Sequence, residues 1–185
     1  MLLPNCLETV VRQLQKYPEK VFAIPRGKRS LDLYEDGKLV KTVDDSDDMP
    51  EEFTVKDIFM RDARFANLGF MHLRSLYDEG IRWDPEVKSM EDWEFMMSIG
   101  EAYPDGFLYV PDIVYDYHQR FGGDGRCSNS TYGDWADVFE YVYQKHKNDK
   151  LMEGQTWYPS KVEKWRKRQA DFELNKIPPY NRHYF

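Results

Sequence analysis

The chain has 185 residues, of which 41% are hydrophobic and 16% aromatic. That composition suits one globular domain with a real core and excludes a disordered chain. A net charge of −7 argues against nucleic acid as a partner. No apolar run approaches the length of a membrane span, and the start lacks the charged-then-apolar pattern of a secretory signal.

The first predicted element is an amphipathic helix over residues 4–17. Pro4 suits a first helical position, and Leu7, Val10, Val11 and Leu14 recur at helical spacing up to Tyr17-Pro18. "VFAIP" reads as a short strand. "SLDLYEDGKLVKTV" reads as two strands around an Asp36-Gly37 turn, a strong hairpin signal. Residues 44–56 read as an acidic loop. Residues 57–79 mix short helix and strand and stop at Gly80. A loop with a turn at Asp84-Pro85 leads to a helix over 91–102. "GFLYVP" and "IVYDYH" follow as two strands, then the Gly/Ser-rich loop "RFGGDGRCSNSTYG", then a helix in "DWADVFEYVYQKH". Helices and strands alternate, so the expected class is α/β.

Charge is unevenly spread. Asp32 to Glu52 holds nine acids and two lysines, and Gly154 to Phe185 holds seven Lys/Arg and three acids. "DDSDD" at Asp44 to Asp48 lacks the Gly and terminal Glu of an EF-hand loop and reads as a solvated acidic loop. "KVEKWRKRQADFEL" reads as a helical tail able to dock one side on the body. The two cysteines, Cys6 and Cys127, have no metal-site spacing and read as free thiols in a reducing, cytoplasmic setting.

Two polar clusters stand out. Ser89-Met90-Glu91-Asp92 has the spacing of a capping box, with Ser89 as N-cap and Asp92 as third helical residue. Its acids read either as ordinary first-turn residues favoured by the helix dipole or as an oriented, ionised pair able to act as a general base. His118, Gln119 and Arg120 end the second of the two strands. They read as a solvated strand end, or as a metal ligand and a diphosphate clamp. Gly122, Gly123 and Gly125 permit a loop that approaches a ligand closely.

Together, "LLPNCLETVVRQLQKYPE", "VFAIP", "LGFMHLRSLYDEGIRWDP" and "MEDWEFMMSIGEAYPDGFLYVPDIVYDYHQR" resemble the second half of a family-2 glycosyltransferase with the GT-A fold. The match spans roughly residues 1 to 121. In such enzymes an Asp-x-Asp motif precedes an "hhPNhLExhhxxL" helix, and an "ED" helix and a "YxYR/H" strand end follow. The resemblance implies a partial GT-A mixed sheet flanked by helices. Residues 1–150 would be the acceptor and catalytic-base half, and 151–185 a basic helical tail. It makes Asp92 the catalytic base and Glu91 its partner. It sets His118 near a divalent metal (Mn or Mg), Gln119 and Arg120 near the diphosphate, and Arg74, Trp83 and Asp84 near the acceptor. The donor half with its Asp-x-Asp would lie outside this chain, in a longer or split gene or on a separate chain. Asp45-Ser46-Asp47 follows the "LPN" helix instead of preceding it and is not that motif.

The implied reaction is transfer of a sugar, with inversion, from a nucleotide-sugar to the hydroxyl of a carbohydrate or other acceptor. Asp92 would take the hydroxyl proton. The competing reading is a non-catalytic remnant that binds carbohydrate or protein through its aromatic surface. A metal-dependent hydrolase using Glu91, Asp92 and His118 is the third.

Overall fold

A computed structural model describes residues 1–44, 54–60, 70–87, 90–121, 132–153, 160, 162–167 and 170. The elements in chain order are α1 (Cys6–Lys16), β1 (Phe22–Glu35), β2 (Lys38–Asp44), α2 (Val55–Met60), β3 (Met71–His72), α3 (Ser75–Asp78), α4 (Glu91–Ala102), β4 (Phe107–Phe121) and α5 (Tyr132–His146). A single 3-10 turn, Lys150–Met152, follows. The class is mixed α/β, with a four-stranded antiparallel sheet in the order β2-β1-β3 and β4 also on β1. The chain forms two compact units. One contains Met1–Ser30, Asp44–Pro85 and Glu91–His118; the other contains Leu31–Val43, Glu86–Met90 and Gln119–Phe185.

In the first unit, α1 buries Cys6 and Val10 against Ala23, Val110, Val114 and Tyr115. Burial pushes the Cys6 thiol above its usual pKa. The helix starts at Cys6, two residues later than its Pro4 signal suggests, and ends where the Tyr17 N–H donates to Gln13 O. The backbone before α1 joins the sheet: Leu3 N–H donates to Val114 O at 2.9 Å and Asp116 N–H to Met1 O at 2.8 Å. β3 is short, with Phe22 opposite His72 and Ala23 opposite Met71.

Two expected breaks do not occur. "VFAIP" and "SLDLYE" form one strand of 14 residues through Arg26-Gly27-Lys28. Gly27 belongs there because a Cβ would lie 2.0 Å from the Tyr115 ring, so the strand approaches that ring as only glycine permits. "GFLYVP" and "IVYDYH" likewise form one strand of 15 residues. Pro111 removes a ladder donor, but Pro111, Asp112 and Ile113 are exposed, where a strand tolerates the loss.

Other expectations hold. Asp36 (φ 49°) and Gly37 (φ 74°) make the tight turn between β1 and β2. Gly80 adopts φ 88° just past α3. The helix expected over 91–102 is α4, Glu91–Ala102. In the second unit, Asp32 is buried and accepts from Thr42 Oγ1 at 2.7 Å. Ala136, Phe139 and Val142 of α5 are buried. Residues 162–167 are helical, and Arg166 Nη2 lies 3.0 Å from Asp137 and 3.1 Å from Glu140. Most of the acidic loop, the Gly/Ser-rich loop with Cys127, and the tail after Ala170 lie outside the described residues. No helix among the described residues is long and apolar enough to cross a membrane.

Candidate functional site

The site is built on α4. Eight of its twelve residues are buried, including Trp93, Phe95, Met96, Met97 and Ile99. A helix apolar on most sides belongs inside a core, and this one is fixed there by specific contacts. Trp93 Nε1–H donates to Ile58 O at 2.7 Å. Gly100 admits the Phe59 ring, whose nearest carbon would lie 2.7 Å from an added Cβ. Buried Glu94 accepts from Ser98 Oγ at 2.8 Å.

The first turn of this helix carries the acid pair. Asp92 is 7% exposed, and Glu91 is half-buried. The helix begins at Glu91, so Asp92 is its second residue. Ser89 lies outside the described residues. Met90, just before the helix, has φ 57°, an uncommon conformation for a residue with a side chain. The first-turn peptide N–H groups and the helix dipole favour negative charge here. The rigid helix behind holds the carboxylates in place.

Phe95 lies three residues after Asp92, on the same side of the helix. It is fully buried and forms the floor of an aromatic cluster. Trp83 stacks on it at 4.5 Å between centroids and 15° between planes. His72 meets it edge-on at 5.3 Å, and Tyr77 lies at 6.3 Å. Trp83 Nε1–H donates to the Tyr77 hydroxyl at 2.9 Å. Arg82 donates to Tyr77 O at 2.8 Å, with its guanidinium 5.5 Å from the Tyr77 ring. Trp83 is nonetheless 37% exposed. Asp84 beside it is half-buried, and Arg74, flanking α3, is exposed.

His118 is exposed on β4, and its Nε2 lies 3.3 Å from Asp116 Oδ2. Ser30 Oγ lies 3.4 Å from the other oxygen of that carboxylate. Gln119 and Arg120 belong to the second unit. There Arg120 is exposed, with its guanidinium 5.4 Å from the Tyr34 ring centroid. The side chain of Gln119 lies outside what is described.

The structure therefore joins Trp83 to the acid-bearing helix through Phe95. It pairs His118 with Asp116, a residue the sequence did not single out. It adds His72, Tyr77, Arg82 and Phe95, which carry no local signal in the sequence as members of one cluster. Among the described residues, no three His, Cys, Asp or Glu side chains converge as a metal site. No family model matches the chain, and no curated protein and no solved structure matches it either.

Proposed function

We propose that this chain carries the acceptor side of a family-2, GT-A-type glycosyltransferase, which moves a sugar from a nucleotide-sugar to an acceptor hydroxyl with inversion. The observation that carries the reading is Asp92, held at the first turn of a buried helix one turn from Phe95, on which the exposed Trp83 is stacked. A base needs a fixed, ionised carboxylate next to a surface that can hold the attacking hydroxyl. In this reading Asp92 takes the hydroxyl proton as the oxygen attacks the anomeric carbon and the bond from that carbon to the nucleoside diphosphate breaks, the diphosphate leaving with the electron pair. Glu91 stands beside it, and Arg74, Trp83 and Asp84 bound the acceptor.

The donor side would come from residues preceding α1 in a longer polypeptide or from a separate chain. In the family that this sequence resembles, the Asp-x-Asp motif precedes the counterpart of α1. Here the backbone before α1 pairs with β4 at Val114 and Asp116, two residues from His118. A motif arriving by that path would reach the Asp116–His118 pair. Those two side chains do not make a metal site by themselves. A Mn or Mg ion would take its remaining ligands from the donor side and the diphosphate. No step proposed for Asp92 runs through that ion.

The test is Asp92→Asn in the complete enzyme, joined to its donor half. Loss of the base is expected to lower turnover by about two to four orders of magnitude, with acceptor binding retained. Near-normal turnover would remove Asp92 from the chemistry and the reading with it. Acceptor binding with no transfer in the joined, unmodified protein would instead identify a binding remnant.

A further inference from the structure

We infer that the apolar trough between α1 and β3 binds a free fatty acid, with its carboxylate at Lys20 and its chain running toward Val11. The inference stands apart from the transferase reading and does not rest on it. Helix α1 has apolar side chains on more than its core face. Cys6 and Val10 pack into the core, while Val11 and Leu14 line a cavity of about 640 Å³. Pro18 continues that wall past the helix, and Phe70, Met71 and Leu73 form the opposite one. The second wall is held in place from behind. Phe70 stacks on the fully buried Phe22 at 5.3 Å, Met71 pairs with Ala23, and Leu73 N–H donates to Val21 O at 2.9 Å. A site shaped before its ligand arrives lowers the ordering cost of binding.

A volume of this size and a mostly apolar lining with a few polar groups are typical of small-molecule sites. The polar groups decide which molecule. Among the described lining residues Lys20 alone is a permanent cation, and none is an acid. Lys20 is half-buried, and its Nζ donates to Asp105 O at 2.7 Å. An ammonium has three N–H groups, so that bond leaves two. No carboxylate pairs with Lys20 among the described residues, although the chain carries a net charge of −7. An uncompensated cation beside an apolar wall is complementary to an anion. The charge also lies at one end. Lys20 N–H donates to Tyr17 O at 3.0 Å, which sets the residue beside Pro18. Val11 is seven residues back, about 10 Å along a helix. Charge at one end and hydrocarbon along the rest is the outline of a single-chain carboxylate. A sugar or a nucleotide would bury its hydroxyls against these walls without partners.

The experiment is a titration of the methyl-labelled 185-residue chain with octanoate, decanoate and 1-decanol, each kept below its aggregation limit. The readout is the Met71 methyl resonance, identified by its absence in Met71→Leu. A saturable shift with decanoate is expected. Decanoate should bind about tenfold more tightly than octanoate, because it buries two more methylenes. Lys20→Met keeps the stem and removes the charge. It should weaken decanoate about tenfold and leave 1-decanol unchanged. Val11→Lys separates orientation from simple charge attraction. It adds a cation where the chain end lies, and should weaken decanoate although the protein has become more positive. If Lys20→Met does not fold, the comparison of decanoate with 1-decanol in the unmodified chain decides the matter. No saturable shift with decanoate, equal binding of decanoate and 1-decanol, or tighter decanoate binding in Val11→Lys would each overturn the proposal. A Met71 shift that follows protein concentration and ignores decanoate assigns the trough to a second copy of the chain. One that appears only with phosphatidylglycerol vesicles assigns it to a membrane surface. Either result removes the fatty acid.

Discussion

Helices α1 and α4 have nearly the same length, 11 and 12 residues, and opposite relations to the core. In α1 only Cys6 and Val10 are buried, while Leu7 and Val11 are 63% and 43% exposed. In α4 eight residues are buried, among them the two carboxylates Asp92 and Glu94. Ordinary amphipathic helices resemble neither. One leaves apolar side chains in water, and the other takes acids out of it. Both departures cost stability when viewed alone. The buried acids of α4 sit on a helix with eight of its twelve residues buried, a rigid element that can hold a site in place. The apolar face of α1 borders a cavity of about 640 Å³, lined by residues that include Val11, Leu14, Pro18, Met71 and Leu73.

The largest expected effect tests whether α4 is the rigid element. Trp93 is 1% exposed and donates its indole N–H to Ile58 O. Trp93→Ala removes the packing of a whole indole and leaves that carbonyl without its donor. A loss of about 3–5 kcal/mol is expected, measured as a fall in the urea midpoint. A loss below about 1 kcal/mol would mean that α4 is loosely held, and the argument for an oriented Asp92 would fail with it.

A smaller effect sharpens the same point, because two principles predict opposite signs. In an exposed helix Gly→Ala stabilises by about 1 kcal/mol. At Gly100 the new methyl would meet Phe59 Cε2 at 2.7 Å and Val55 Cγ2 at 3.0 Å. Phe59 is fully buried and has no room to retreat. Overpacking of this kind costs about 1–3 kcal/mol, so Gly100→Ala is expected to destabilise. A rise in the thermal midpoint would show that α2 yields to α4.

The same contrast explains what could be read from the sequence. The bounds of α4, the hairpin turn at Asp36-Gly37 and the stop at Gly80 are local features, and each was legible. Their signals lie within a few residues: an apolar block behind two acids, and glycines where φ must be positive. The long strands β1 and β4 were not legible as single elements. Gly27 and Pro111 look like punctuation until one knows that the Tyr115 ring covers the first and that solvent faces the second. The candidate site divides in the same way. Glu91 and Asp92 announce themselves by position. The stacking of Trp83 on Phe95 joins residues twelve apart across a loop, and no periodicity encodes such a contact. Asp116 was passed over because an acid within a strand carries no signal until His118 is found 3.3 Å away.

The smallest stability effect belongs to α1. Leu7 is 63% exposed, so folding buries little of it, and Leu7→Gln should change stability by no more than about 0.5 kcal/mol. The informative readout is association. Leu7 and Val11 are one turn apart on a shared helical face, and exposed apolar side chains placed together promote contact between molecules. Sedimentation of the 185-residue chain should show self-association that weakens in Leu7→Gln while the urea midpoint stays fixed. If the variant instead loses stability, Leu7 is packed in solution and α1 is an ordinary amphipathic helix. If neither quantity moves, the exposed face of α1 has no part in association, and the contrast with α4 reduces to one of burial.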